Sequence, residues 1–180
     1  MDINPFQPFS PAKRSPLALI KGICFPLSLV FYLLALMSHA YSDGTYGITC
    51  AAMGWSIILT GNLLAFIAWF SNIPFWTAFF MFVISRKKNV HMTAFWLSAV
   101  ALLFSMGAFA VHEVMENEGG MSHMVEIAGG AYTWMASYAI LLTGTILSTT
   151  TLKKVENEKK EKLLREKEAA PANPWDEKRR

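Results

Sequence analysis

Methionine, histidine and acidic side chains recur in the stretch that separates two strongly apolar segments of this 180-residue chain. Thioether sulfur and imidazole are ligands for soft Cu(I), and imidazole with carboxylate suits harder divalent ions. If the preceding segment continues as a helix, His112 and Glu116 share one face at four-residue spacing. The stretch is therefore a candidate metal site, and its candidate ligands are His112, Glu116, Met121, His123 and Met124.

A purely structural interpretation competes with this hypothesis. The chain holds ten methionines, and histidine is common at the ends of membrane helices, where it meets water. The sequence from His112 to Glu116 lacks the second histidine of the zinc-protease motif. Cys24 and Cys50 are expected at opposite ends of the first two spans, so no disulfide is expected. The structural interpretation is favoured, so the sequence predicts no cofactor, with a metal ion as the alternative.

No other catalytic set is present in the sequence. It contains no glycine-rich phosphate loop, no cysteine pair at metal spacing and no Gly-x-Ser-x-Gly elbow. No Asp, Glu, Lys or Arg lies deep in an apolar segment, which argues against a proton-coupled pump. The four histidines lie at segment ends, whereas haem ligation needs histidines within a bundle. These observations favour a protein that is not an enzyme, and an enzyme acting on lipid has the least support.

The longest charge-free stretch indicates what kind of chain must position these residues. No charged residue occurs over the forty-two positions from Gly44 to Ser85, and 53% of the chain is hydrophobic. A hydrocarbon core about 30 Å thick takes roughly 20 helical residues. The stretch is too long for one upright helix and almost too short for two crossings. The sequence therefore predicts an all-α integral membrane protein.

The distribution of basic residues predicts the topology. Lys and Arg cluster at the start, at Arg86–Lys88 and after residue 152, whereas residues 40–49 and 112–127 have none. The positive-inside rule places the basic groups, and hence both termini, in the cytoplasm. The chain must then cross once between residues 40 and 86. The result is a bundle of four transmembrane helices, with spans at about 16–39, 61–85, 92–111 and 129–151.

Three regions follow from this topology: a cytoplasmic arm at 1–15, the transmembrane bundle at 16–152 and a charged cytoplasmic tail at 153–180. The tail holds 17 of the 29 charged side chains and is expected to begin as a helix. Residues 45–60 are left over before the second span, as an interfacial or re-entrant segment. A cleaved signal peptide is the alternative for the first span, and an uncleaved span is favoured because further spans follow.

Span two is expected to bend at Asn72 and Pro74. Proline cannot donate to the carbonyl four residues back, so the Phe70 carbonyl loses its helical partner. The Asn72 amide is a suitable partner for that carbonyl, which makes kink repair the favoured interpretation. The functional alternative is a site for a small molecule or a lipid headgroup at the kink.

Small residues repeat along the last two spans at alternating spacings of three and four. In membranes such stripes let helices approach closely, and a 3.5-residue period implies a left-handed crossing. We therefore expect spans three and four to form a tight antiparallel hairpin. The stripe residues are Ala94, Ser98, Ala101, Ser105 and Ala108 in span three, and Gly130, Ser137 and Gly144 in span four.

Two short segments carry a resemblance. They are Ala68-Trp69-Phe70-Ser71-Asn72-Ile73-Pro74, followed by an apolar run into Arg86-Lys87-Lys88, and Gly130 to Ser137 at the start of the last span. Together they resemble small, uncharacterised multi-span proteins of the bacterial inner membrane, over roughly residues 54–148. The resemblance implies a bacterial plasma-membrane setting and supplies no catalytic residues.

The sequence thus predicts a non-enzymatic, multi-span protein of the bacterial inner membrane that serves as a structural or accessory subunit. Its expected partners are membrane lipid and another membrane protein or a second copy of itself, with no nucleic acid. The alternative function is binding or handling of a soft, copper-type metal on the outer face by the methionine and histidine residues.

Overall fold

The computed structural model describes residues 15–60, 62–85, 87–115 and 122–169. Residues 1–14 of the predicted N-terminal arm and residues 61, 86, 116–121 and 170–180 lie outside these ranges, and these include the candidate metal ligands Glu116 and Met121. Six α-helices are described: α1 (Pro16–Met37), α2 (Gly47–Met53), α3 (Leu63–Phe70), α4 (Asn72–Ile84), α5 (Lys88–Ser105) and α6 (Gly129–Ala169). Two 3₁₀ helices cover Gly54–Thr60 and Met106–Ala110, and two short antiparallel strands are β1 (Glu113–Met115) and β2 (Ser122–Met124).

Four helical stretches are long and apolar enough to cross a membrane: Pro16–Met37, Leu63–Ile84, Lys88–Ala110 and Gly129–Lys167. The prediction of a helical protein with four spans is confirmed at this level. The second stretch combines α3 and α4, and the third combines α5 with the 3₁₀ helix that follows it. The β-strands connect the third and fourth stretches, and we call that end of the bundle the hairpin end and the opposite end the tail end.

The last helix is longer than the predicted fourth span. The sequence suggests a span ending near residue 151 and a separate charged helix, whereas α6 runs without interruption over 41 residues. No glycine or proline lies between Gly144 and Pro171 to break it. Near the tail end, Glu156 of α6 pairs with Lys88 of α5 at 2.5 Å and with Lys160 at 2.9 Å.

The most extensive helix–helix contact joins α1 and α6, which are far apart in sequence. The small residues of α6 face this contact, although the sequence analysis expected them against span three. A Cβ at Gly130 would lie 2.5 Å from the His39 carbonyl oxygen, and one at Gly144 would lie 2.7 Å from the Cys24 Cβ. Between them, the Ser137 carbonyl accepts a 2.9 Å hydrogen bond from the Ser28 hydroxyl. The seven-residue spacing of these positions therefore serves the antiparallel packing of α6 on α1.

The stripe of α5 is the buried face of that helix. Ala94, Ser98, Ala101 and Ser105 are each at most 1% exposed, and Ala108 in the following 3₁₀ helix is 3% exposed. α5 packs on α4 and on α6 to a similar extent. The serine hydroxyls donate within their own helix, from Ser98 to the Ala94 carbonyl and from Ser105 to the Leu102 carbonyl. The stripe thus supplies small size rather than hydrogen bonds between helices.

The core between these helices is aromatic. Phe75, Ala78 and Phe82 of α4 are fully buried and pack with Ala94 and Ala101 of α5. Small residues on α5 leave room for the large rings of α4, which is the complementarity that close-packed interiors require.

Candidate functional site: a polar cluster at the floor of an apolar cavity

The second span breaks at Ser71. α3 ends at Phe70 and α4 begins at Asn72, and Ser71 between them keeps helical backbone angles. The Ser71 hydroxyl donates to the Ala68 carbonyl at 2.6 Å, and Asn72 Nδ2 donates to the Trp69 carbonyl at 2.8 Å. The sequence analysis assigned Asn72 to the Phe70 carbonyl, and the structure places its amide on the Trp69 carbonyl instead.

The side-chain oxygen of Asn72 is the centre of a buried polar cluster. Its Oδ1 accepts from the Tyr32 hydroxyl at 2.9 Å, from the Tyr138 hydroxyl at 2.9 Å and from Trp134 Nε1 at 3.3 Å. These donors lie on α1 and α6, so one amide of α4 joins three helices. The Tyr32 oxygen in turn accepts from Trp76 Nε1 at 3.3 Å.

Aromatic rings enclose the cluster on the tail-end side. Phe75 stacks between the rings of Tyr32 and Tyr138, with centroid distances of 5.1 and 4.3 Å. Trp76 meets Tyr32 edge to face at 5.0 Å. Tyr32 is 4% exposed and Tyr138 is fully buried. The rings exclude water from the hydroxyls, so each hydroxyl needs a partner within the protein.

Residues 47–60 cover the cluster from the hairpin end. Two glycines bring this segment close to its neighbours: a Cβ at Gly47 would lie 2.1 Å from the Ala35 carbonyl oxygen, and one at Gly54 would lie 2.2 Å from the Trp69 ring. Trp69 Nε1 donates to the Ala51 carbonyl at 2.9 Å, which ties the segment to α3. Close backbone approach of this kind requires glycine at both positions.

The loop before α2 is fastened to the start of α6. Gly130 N donates to the His39 carbonyl at 2.8 Å, and Ala128 N donates to the Ala40 carbonyl at 2.9 Å. The Asp43 carboxylate caps a turn by accepting from the backbone and hydroxyl of Thr45 at 2.8 and 2.7 Å. This bonding holds the covering segment in place over the bundle.

A cavity of about 100 Å³ lies between the covering segment and α1, α3 and α6. Apart from five side chains, its lining consists of glycine, alanine, valine, leucine and isoleucine. The five side chains that carry a polar atom are Tyr41, Cys50, Trp69, Asn72 and Trp134. The cavity therefore extends from the hairpin end to the polar cluster at the middle of the second span.

Among the described residues, none of those that line the cavity is Lys, Arg, His, Asp or Glu. Near its mouth, burial raises the pKa of the Cys50 thiol to about 11, and the neighbouring Asp43 carboxylate adds to the effect. Burial, Cys50 and Asp43 together raise the pKa of Tyr41 to about 12. Both groups are neutral at neutral pH, so the site suits an uncharged, apolar ligand.

The structure separates the candidate metal ligands that it describes from this cavity. His112 and Met124 are exposed at the hairpin end, and the backbone of His123 pairs with Val114 across the two strands. Within residues 15–60, 62–85, 87–115 and 122–169, no group of three His, Cys, Asp or Glu side chains is placed to hold a metal ion. The hypothesis of a site at His112, Glu116, Met121, His123 and Met124 stays a prediction, because two of these residues lie outside the described ranges.

Sequence reasoning identified Asn72 and missed its partners Tyr32, Trp134 and Tyr138. A signal was present, since a tyrosine in the middle of an apolar span has a hydroxyl that needs a hydrogen-bond partner. Tyr32 and Tyr138 both lie at such positions. The sequence contains no indication of which two helices would bring them to the same amide.

Comparisons of the chain with protein-family models, with curated proteins and with solved structures find no match. The cavity and the polar cluster are therefore the features from which a function can be inferred.

Proposed function

We propose that this chain is a non-enzymatic, multi-span protein of the bacterial inner membrane that acts as an accessory protein by binding an apolar membrane component. The apolar cavity that ends at the buried Asn72 cluster carries this proposal. An engineered apolar cavity of about 150 Å³ holds a benzene molecule, so the smaller volume of about 100 Å³ suits a short chain segment or at most a single ring. The bilayer is the source of such molecules.

Both termini are proposed to lie in the cytoplasm, with the hairpin end outside. The asymmetry of basic residues supports this orientation, since Lys87, Lys88 and Lys153 lie at the tail end and no Lys or Arg occurs in residues 112–127. In this arrangement the covering segment lies at the outer boundary of the bilayer and dips towards its middle. Backbone inside the hydrocarbon region must have its polar groups satisfied within the protein; the segment is helical, and Gly47 and Gly54 bring it into close contact with α1 and α3.

The orientation is testable with introduced cysteines after Cys24 and Cys50 are replaced by alanine. A membrane-impermeant maleimide should label Glu126→Cys in intact bacteria and should label Lys87→Cys only after lysis. Both positions are exposed in the structure, so a difference in labelling reports the side of the membrane. Labelling of Lys87→Cys in intact cells would show that the orientation is opposite to the one proposed.

The binding function is testable by native mass spectrometry of protein purified in an alkyl maltoside. Ala131 lines the cavity and is 4% exposed, so Ala131→Leu should fill part of the cavity. Ala139→Leu, on the exposed face of the same helix, is the matched control. Wild type and the control should retain a bound apolar molecule that Ala131→Leu loses while keeping its elution volume. Absence of any bound molecule from all three proteins, before and after incubation with membrane lipid extract, would refute the function.

Binding of a soft metal at the hairpin end remains the second candidate. The observation in its favour is that β1 and β2 place Met124 opposite Glu113 and His123 opposite Val114, close to His112. Titration with Cu(I) of wild type and of the His112→Ala, His123→Ala double variant tests it. Stoichiometric binding that the double variant loses would support the site, and equal binding by both proteins would exclude these ligands.

A further inference from the structure

We infer that the cavity recognises a neutral carbonyl group carried by an apolar molecule, with Trp134 Nε1 and the Asn72 amide as the two donors. The inference rests on the proposed function and names the chemistry of the ligand. Both residues line the cavity and place polar atoms at the end that we assign to the bilayer centre.

More hydrogen-bond donors surround the Asn72 oxygen than it has lone pairs. A carbonyl-type oxygen offers two lone pairs, but three donors approach Oδ1, from Tyr32, Tyr138 and Trp134. The two hydroxyls are at 2.9 Å and the indole nitrogen is at 3.3 Å. The N–H of Trp134 therefore makes the longest of the three hydrogen bonds to this oxygen. Trp134 also lines the cavity.

The Asn72 side-chain nitrogen has more N–H groups than the structure gives it acceptors among the described residues. A side-chain amide carries two N–H groups, and Nδ2 donates one of them to the Trp69 carbonyl at 2.8 Å. The part of the chain that the structure describes supplies no second acceptor to this nitrogen. The carbonyl of Trp69 also defines the orientation of the amide, because a carbonyl only accepts. The floor of the cavity thus has N–H donors in excess of acceptors.

The lining of the cavity does not suit a charged ligand. Among the described residues that line the cavity, no Lys, Arg or His is available to balance a carboxylate or phosphate, and desolvating an unpaired anion is costly. A hydroxyl group could accept from these N–H groups, but it would also bring a donor to a floor where acceptors are already short. A neutral carbonyl supplies lone pairs and no donor, so it complements the floor.

The depth of the Asn72 cluster in the membrane restricts which carbonyl compounds can reach it. Asn72 is the tenth residue of the 22-residue stretch Leu63–Ile84, so the floor lies about 14 Å along the helix from its hairpin end. Half of a hydrocarbon core is about 15 Å. The ester carbonyls of a phospholipid are anchored at the headgroup level, whereas a ring ketone on an apolar chain, such as a quinone, moves within the core. Depth therefore favours the ring ketone over the ester.

The test uses Cys50, which lines the same cavity, as a reporter of occupancy in the Cys24→Ala protein. In alkyl maltoside micelles, which contain no carbonyl group, the rate of Cys50 alkylation by iodoacetamide at pH 9 is measured with three additives. These are a trimethyl alkyl benzoquinone, whose fully substituted ring has no free position for addition of the thiolate, a diacylglycerol and an alkylbenzene of matching chain length. The benzoquinone should halve the rate at a mole fraction at least tenfold below that of the alkylbenzene.

Trp134→Phe keeps an aromatic ring but removes the N–H together with the pyrrole half of the indole, so it should reduce this preference to within threefold, and the apolar comparison compound reports any effect of the smaller ring alone. Trp55→Phe is the matched control, because Trp55 is 53% exposed and does not line the cavity. Protection by the diacylglycerol at the same low mole fraction would identify the lipid ester as the source of the carbonyl. Equal protection by the benzoquinone and the alkylbenzene, or a preference that survives in Trp134→Phe, would overturn the inference and leave the cavity function standing. Protection by none of the three would refute the function itself.

Discussion

Replacing Asn72 with leucine should loosen the contact among α1, α4 and α6. The substitution conserves volume and removes the oxygen that accepts from Tyr32, Tyr138 and Trp134. Hydrogen bonds between membrane helices average roughly 0.6 kcal/mol, so three of them contribute about 2 kcal/mol by this scale. The structure then indicates which donors find a replacement.

The Tyr138 hydroxyl can turn towards the Ser71 oxygen, which lies 3.3 Å away. The Tyr32 hydroxyl has only the donor Trp76 as its other neighbour in the cluster, so its proton loses its acceptor. A buried polar group left without a partner costs about 1–3 kcal/mol. Adding the lower end of this range gives a destabilisation of about 3 kcal/mol for Asn72→Leu.

The assay is reversible unfolding in mixed micelles, followed by tryptophan fluorescence and far-UV circular dichroism. Thr77→Val is the control, because the Thr77 hydroxyl is exposed and donates to the Ile73 carbonyl of its own helix. Tyr138→Phe completes a double-mutant cycle, and its effect should fall by more than half in the Asn72→Leu background. The reasoning would be refuted if Asn72→Leu unfolded within about 0.5 kcal/mol of the control, or if Tyr138→Phe had the same effect in both backgrounds.

The remaining predictions concern packing, protonation and charge. Gly47→Ala should destabilise the protein by about 1–3 kcal/mol through overpacking, whereas Gly22→Ala, which meets nothing within 4 Å, should not; equal unfolding free energies would contradict the close contact. Alkylation of Cys50 should accelerate about tenfold per pH unit between pH 7 and 10, because the pKa of about 11 keeps the thiol protonated; a plateau near pH 8.5 would contradict its burial. Glu156→Gln removes an exposed partner of Lys88, so any loss of thermal stability should disappear in 1 M salt; a loss that persists would show a buried role.

The number of spans and their approximate positions follow from the sequence because they depend on local properties. Runs of about 20 apolar residues are unfavourable in water and need no knowledge of their neighbours to be recognised. The spacing of small residues in span three likewise marks the face that is buried in the structure, from Ala94 to Ala108. A kink near Pro74 is predicted from the missing backbone donor, and the structure interrupts the helix at Ser71, which itself keeps helical backbone angles.

The partners of each face depend on the tertiary structure. Gly130, Ser137 and Gly144 form a stripe that would suit either neighbouring helix, and only the assembled bundle places it against α1. The sequence shows Asn72 as a polar residue at a bend, but its oxygen acquires three donors from helices about 40 and 60 residues away. A cavity is the space that several packed elements leave unfilled, so no single segment encodes it. Local hydropathy thus determines four helices that are long and apolar enough to cross a bilayer, and long-range packing determines what these helices enclose.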